Sequence, residues 1–364
     1  RIQEGEIKGN RVVLAARGDW IPFKEAEVFN VLIQTLEAQR SFWQDHSQKY
    51  FTVTLRPMFM ERGSSFQGTG LTNSFACSIT NNEHTDIEQL IYLFNHELQH
   101  NWTGQTIKND NEEEQYWFSE GFTEYYTFKN VGKYEIGGLD DSFFIDQLNE
   151  TMRNLYSSPV VAAPNSDINY ENFWANPDYG KLPYYRGAVY AFLLDNWIVQ
   201  NSGGEKNLDQ LMRELLRDAS EEGQKIEHGY WNSKLDQYLG SSSVEIFEEH
   251  IVGGEPFPLA SLLQDFGFVF EPTTVAFDKG FEFAEDKRTV VSVNEESNAF
   301  LAGLRAGDHF KTYSIEFGNI SKPITAVYVR DNKETAIEYM PVKEMPIPKI
   351  LLTDSNLEKI RQLQ

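Results

Sequence analysis

The chain has 364 residues, enough for one large domain and one small one. A hydrophobic fraction of 40% with 14% aromatics supports a sizeable core and excludes a disordered chain. The net charge of −23 argues against nucleic acid and anionic membrane surfaces as partners.

Cys77 is the only cysteine, so no intrachain disulfide and no cysteine-built zinc site can form. No apolar run has the length of a membrane span. The opening RIQEGEIKGN has neither Met nor an apolar signal core. It reads as a trimmed N-terminus, which leans the compartment toward export or the periplasm.

Residues 11–16, RVVLAA, predict a short strand, followed by a turn at RGDW. Over 24–43, Val28, Val31, Leu32, Leu36 and Phe42 recur at helical spacing. FTVTLRPMF (51–59) alternates like a strand, ERGSSFQGTGLTN (61–73) reads as a Gly/Ser-rich loop, and SFACSI returns to strand. A helix follows, with Thr85 and Glu88 as its expected capping box and Gly104 as its expected end. DNEEE (110–114) reads as a solvated loop, and SEGFTEYYTF as a second helix. Further helices are expected over 141–156, 185–200 and 205–217. Near VGGEPFP (252–258) the pattern changes to short strands: VVSV, HFKTYSIEF, AVYVR and AIEYM. A domain boundary is expected there.

The chemistry concentrates in NHELQHNWTG, residues 95–104. Residues four apart share one face of a helix, so His96 and His100 can aim both imidazoles at one ion. Glu97 is rotated by about 100° from His96 and is poised to reach a water on that ion rather than the ion itself. This is the division of labour of an H-E-x-x-H metallopeptidase, with Glu97 as general base. Zinc needs a third protein ligand and an open position, and Glu120 is the candidate. Glu124, one turn on, is placed to accept the other N–H of a metal-bound histidine, His96 by preference. The remaining histidines, His46, His84, His228, His250 and His309, have no such company and read as structural or exposed.

HELQHNWTG followed by WFSEGFTEYY resembles the gluzincin metallopeptidases, and its HNWTG continuation is similar to the aminopeptidase N family. PYYRGAVYAFLLDNWI (183–198), GGEKNLDQLMREL (203–215) and NEESNAFLAGLRAGDHF (294–310) resemble the PDZ-containing glycyl aminopeptidases. The resemblance implies an α+β multidomain protein: a thermolysin-like, mainly helical catalytic domain with a small N-terminal sheet over 1–252, a PDZ-like β-domain over 258–342, and a tail over 343–364. It implies one Zn2+ per chain on His96, His100 and Glu120, and Tyr184 of Y-Y-R-G as the oxyanion donor. The Gly-rich strand that binds substrate in that family corresponds to GTGLTNSF, giving Gly70, Leu71, Thr72 and Asn73 as substrate-binding positions. Thr72 and Asn73 stand where an acidic amine anchor is expected. The implied activity is an aminopeptidase acting on peptides with small N-terminal residues. The alternatives are a zinc endopeptidase and a non-catalytic peptide-binding scaffold. A peptide C-terminus is the candidate partner of the PDZ-like domain, with FDKGFEF (277–283) as the nearest carboxylate-binding loop.

Overall fold

The structure is a computed structural model describing residues 1–61 and 63–364. Arg62, within the expected 61–73 loop, lies outside the described residues. The chain forms two compact units, one of Arg1–Val269 with Ile350–Gln364, the other of Phe270–Lys349.

The first unit begins with a five-stranded mixed sheet. Its strands are β1 (Ile2–Ile7), β2 (Asn10–Ala16), β3 (Tyr50–Met58), β4 (Phe66–Leu71) and β5 (Ser74–Thr80), in the order β1-β2-β3-β5-β4. β2, β3 and β5 run parallel, and β1 and β4 are antiparallel edges. Helix α1 (Glu25–Trp43) supplies the crossover between β2 and β3, as parallel pairing demands. One sheet face (Val12, Leu14, Val53, Leu55, Phe75, Ile79) is buried against α1 and α2 (Ile87–Gln99), whose Leu32, Leu36, Leu90 and Phe94 complete the core.

Three expectations are corrected here. Part of the 61–73 loop is strand β4, because its glycines serve packing: a Cβ on Gly68 would stand 2.4 Å from the Phe75 ring. The capping box of α2 lies one residue later than Thr85 and Glu88. Asp86 accepts from the Gln89 backbone, and the Gln89 side chain accepts from Asp86 N–H. The helix also ends before Gly104, with His100 as its C-cap residue; Gly104, at φ +101°, belongs to the turn beyond.

Then come α3 (Tyr116–Ser119), α4 (Gly121–Lys133), α5 (Asp141–Ser157), α6 (Tyr170–Ala175), α7 (Pro177–Asn201), α8 (Leu208–Glu222) and α9 (His228–Leu239). The single helix expected at SEGFTEYYTF is thus divided at Glu120, between α3 and α4. Helices α4 and α7 form the buried centre, and they meet backbone to backbone. A Cβ on Gly187 would stand 2.0 Å from the Trp117 carbonyl oxygen, and one on Gly121 would stand 2.4 Å from Gly187 Cα. Farther along the same pair, the buried Lys129 ammonium joins Asp195 at 2.7 Å and Asp209 at 2.6 Å, and the Tyr125 hydroxyl donates to Asp195. Each carboxylate also takes a hydrogen bond from a tyrosine, so this buried charge is paired, as burial requires.

The second unit holds small antiparallel sheets: a three-stranded sheet of His309–Ser314, Ile324–Arg330 and Lys333–Tyr339, and the strand pairs Thr274–Phe277 with Val342–Met345 and Phe281–Phe283 with Val290–Val293. Its own core is built on Phe281, Val290, Leu304, Phe310, Ile324 and Ile337. The unit begins at Phe270 rather than 258, because helix Leu259–Asp265 buries Leu259 and Leu263 within the first unit. Helix Asp354–Leu363, in the expected tail, also belongs to the first unit, where Asn356 hydrogen-bonds the Val269 backbone. The architecture is therefore α+β, with an N-terminal mixed sheet, a helical region and small C-terminal sheets. Among the described residues no helix is long and apolar enough to cross a membrane.

Candidate metal centre

Helix α2 presents His96, Glu97 and His100, and the α3–α4 junction presents Glu120 to the same point. His96 Nε2 lies 3.4 Å and His100 Nε2 3.5 Å from Glu120 Oε2. All three donor atoms fall within 4.8 Å of one another. A tetrahedral zinc ion with ligands at about 2.0–2.1 Å holds its donors roughly 3.3–3.4 Å apart, so the spacing fits the ion. Glu120 Oε2 is buried and has no hydrogen-bond partner among the described residues, an orphan that an ion would satisfy.

The electrostatics agree. Burial alone would lower the His96 pKa, but the Glu120 and Glu124 carboxylates outweigh it and raise the imidazole to about 10. Burial would likewise raise Glu120, yet both histidines hold it far below the usual carboxylate range. The centre is built for positive charge.

Each histidine is fixed from behind. His96 Nδ1 lies 3.0 Å from Glu124 Oε2, the position expected for that residue, and His100 Nδ1 lies 3.1 Å from the Thr103 carbonyl oxygen. If the ring nitrogen on that side carries the proton in each case, Nε2 is left free for metal. Sequence reasoning missed two of these partners. Tyr92 donates its hydroxyl to Glu124, and it sits one turn before His96, a spacing that could have flagged it. The Thr103 carbonyl carries no side-chain signal.

Tyr184 comes from α7, its ring stacked at 5.9 Å from that of His96. The Gly121–Gly187 crossing explains the Y-Y-R-G pattern: Gly187 lets α7 approach close enough to bring Tyr184 to Glu120. Burial, with the charge of Glu120 next, raises the Tyr184 phenol far above its ordinary value. Arg186 serves structure: it is buried, donates to the Val161 and Ala163 carbonyls, and is lowered to about 10 by that burial. Glu97, Tyr184 and His96 line one cleft of about 620 Å³. On the sheet side, burial and then the Glu97 charge push the Cys77 thiol up to about 12.

Gly70 and Leu71 stand on β4, the exposed edge strand, and Thr72 and Asn73 form the turn into β5, Asn73 at φ +55°. The cleft takes Phe66 from the start of β4 as lining but none of these four residues. Gln105, on the turn after α2, reaches the far end of the strand, its Nε2 3.6 Å from where a Gly70 Cβ would stand.

Residues 45–236, more than half of the chain, match the model of the Peptidase family M1 domain. The chain belongs to peptidase family M1. It is similar to the solved structure of an aminopeptidase N family protein from Idiomarina loihiensis, with 18% identity and a TM-score of 0.66, covering 100% of this chain and 70% of that one. It is also similar to an M1 zinc metallopeptidase from Deinococcus radiodurans, with 14% identity and a TM-score of 0.50. There the match covers 71% of this chain and 53% of that one. Comparison with curated proteins finds no match. The M1 assignment, with the His96–His100–Glu120 cluster, makes this chain a zinc metallopeptidase. The finer resemblance to glycyl aminopeptidases and to a PDZ domain goes beyond these likenesses.

Proposed function

We propose that the chain is an aminopeptidase that hydrolyses peptides with small N-terminal residues, with Glu97 as base and Tyr184 as oxyanion donor. The observation that carries this reading is the sharing of one cleft by Glu97, His96 and Tyr184 beside the three-donor cluster. His96, His100 and Glu120 would hold the zinc ion, which when bound would supply Lewis acidity toward water and a carbonyl oxygen. Glu97 accepts the proton of the attacking water and delivers it to the departing amine. The Tyr184 hydroxyl, kept protonated by its surroundings, donates to the oxygen on which negative charge develops. Glu124 holds His96 in place. The substrate extends along β4, pairing with the free backbone of Gly70 and Leu71, while Thr72 and Asn73 face its N-terminal end.

A second reading, an endopeptidase, is favoured by one observation: the turn at 72–73 offers a threonine and an asparagine where an ammonium would want a carboxylate. We further propose that the second unit is a PDZ-like module that takes a peptide C-terminus near residues 277–283. The backbone of Gly280, which donates to Asp278, turns the chain there. The decisive experiment on the enzyme is Glu97→Gln: retained zinc with lost peptide hydrolysis supports the base assignment, and unchanged hydrolysis overturns it.

A further inference from the structure

The cleft beside Glu97 is larger than the reacting atoms need. Its volume of about 620 Å³ lies in the range of ligand sites, and it reaches from Tyr184 to Phe66 at the beginning of β4. Gly70–Asn73 occupy the other end of that strand. If they face the N-terminal end of the substrate, the cleft receives the residue that follows the cleaved bond.

The lining of the cleft is specific in kind. Its lining includes the rings of Phe66, Tyr92, Phe128 and Phe143, alongside polar side chains such as Gln147 and Asn154. Its charged lining consists of Asp86, Glu88, Glu97, Glu124, Glu150 and one cation, Lys181. Three of the acids have work elsewhere. Asp86 caps α2, Glu97 is the base, and Glu124 receives His96 and Tyr92. Lys181 sits over the Tyr184 ring, 4.6 Å from its centroid. Glu88 and Glu150 are left. They are exposed and come from different walls, α2 and α5. Among the described residues Glu88 forms no ion pair, and the ion pair of Glu150 is with Arg153, at 3.7 Å.

Aromatic lining residues together with two exposed carboxylates suit a long side chain with an apolar stem and a cationic tip, which keeps its head in water while its stem packs. Aromatic faces favour the same cation. We infer that this cleft selects a lysine or arginine immediately after the cleaved bond, its head group held between Glu88 and Glu150. The inference rests on the peptidase reading and on the substrate direction given above.

The test uses the zinc-loaded enzyme and two peptides, Gly-Lys-Ala-Ala and Gly-norleucine-Ala-Ala, with a second pair, Lys-Gly-Ala-Ala and norleucine-Gly-Ala-Ala, to locate the effect. The ratio of kcat/KM for lysine over norleucine should be roughly five- to tenfold in the first pair, near one in the second, and should shrink as salt is raised. In the Glu88→Gln/Glu150→Gln double variant that ratio should fall toward one. Both residues are exposed, so folding is not at stake. Equal cleavage of the first pair, a lysine preference confined to the second pair, or a ratio unmoved in the variant overturns the inference while leaving a working peptidase. Cleavage of neither pair overturns the proposed function itself.

Discussion

Helix α2 and strand β4 lie against each other in the first unit and are built on opposite terms. The metal-binding helix is buried and over-determined. His96 is fixed by Glu124, His100 by a backbone carbonyl, and Asn95 and Gln99 hydrogen-bond to residues of the same core. Strand β4 is an exposed edge whose residues from Gln67 to Leu71 face solvent and whose backbone is free on one side. Under the proposed function, the difference teaches where each half of catalysis resides. Chemistry needs fixed donors, so it is placed where packing leaves no choice. Recognition of an extended peptide needs unpaired backbone, which is what β4, the proposed substrate strand, offers at its edge.

The largest effect should come from breaking the buried side. His96→Ala removes one donor from a three-donor set, and the variant should lose stoichiometric zinc under mild dialysis and with it all measurable hydrolysis. Metal analysis of the purified protein checks this; full zinc occupancy would refute the ligand assignment. Next is Glu97→Gln, nearly isosteric but unable to take a proton. Zinc should remain, and kcat should fall on the order of 10²–10⁴-fold. Loss of zinc together with activity would make Glu97 structural. Tyr184→Phe should then cost about 10²-fold in kcat, with zinc retained and KM little changed, because the missing donor matters only as charge develops. A change confined to KM would turn Tyr184 into a binding residue.

The same contrast explains what the sequence made legible. His96, Glu97 and His100 stand within a single helical turn, so spacing alone revealed their shared face. Helix α1 and the core strands followed from periodicity because one face of each is buried. Elsewhere local signals misled. Gly68 and Gly70 look like turn residues, yet Gly68 is small because the Phe75 ring lies over it, a fact of packing that no local window contains. Thr85 and Asp86 are both competent caps, and the side-chain reach of Gln89 selected Asp86. Gly187 was visible as part of a pattern, but its reason is Gly121 on another helix. The cleft carboxylates Glu88 and Glu150 belong to separate helices and carry no motif at all.

The smallest expected effect probes the exposed side, where the proposed substrate direction sets the turn at Thr72 and Asn73 against the substrate's end. An ammonium taken out of water needs a carboxylate or several hydrogen bonds to offset its desolvation. Thr72 and Asn73 offer only neutral oxygens, through their side chains and backbone, and hydrogen bonds to a charged group contribute modestly. N-acetylation of a good peptide substrate should therefore slow kcat/KM by about tenfold. Introducing the missing charge sharpens the comparison. Thr72→Glu adds a carboxylate at an exposed turn, where folding tolerates it, and should widen the free-amine preference by roughly another tenfold. The two peptides, assayed on both proteins, give a double difference from which general damage to the enzyme cancels. Equal rates for the two peptides with the native chain would establish cleavage within chains. A preference that Thr72→Glu leaves unchanged would move the amine away from this turn, and with it the proposed direction of the substrate along β4.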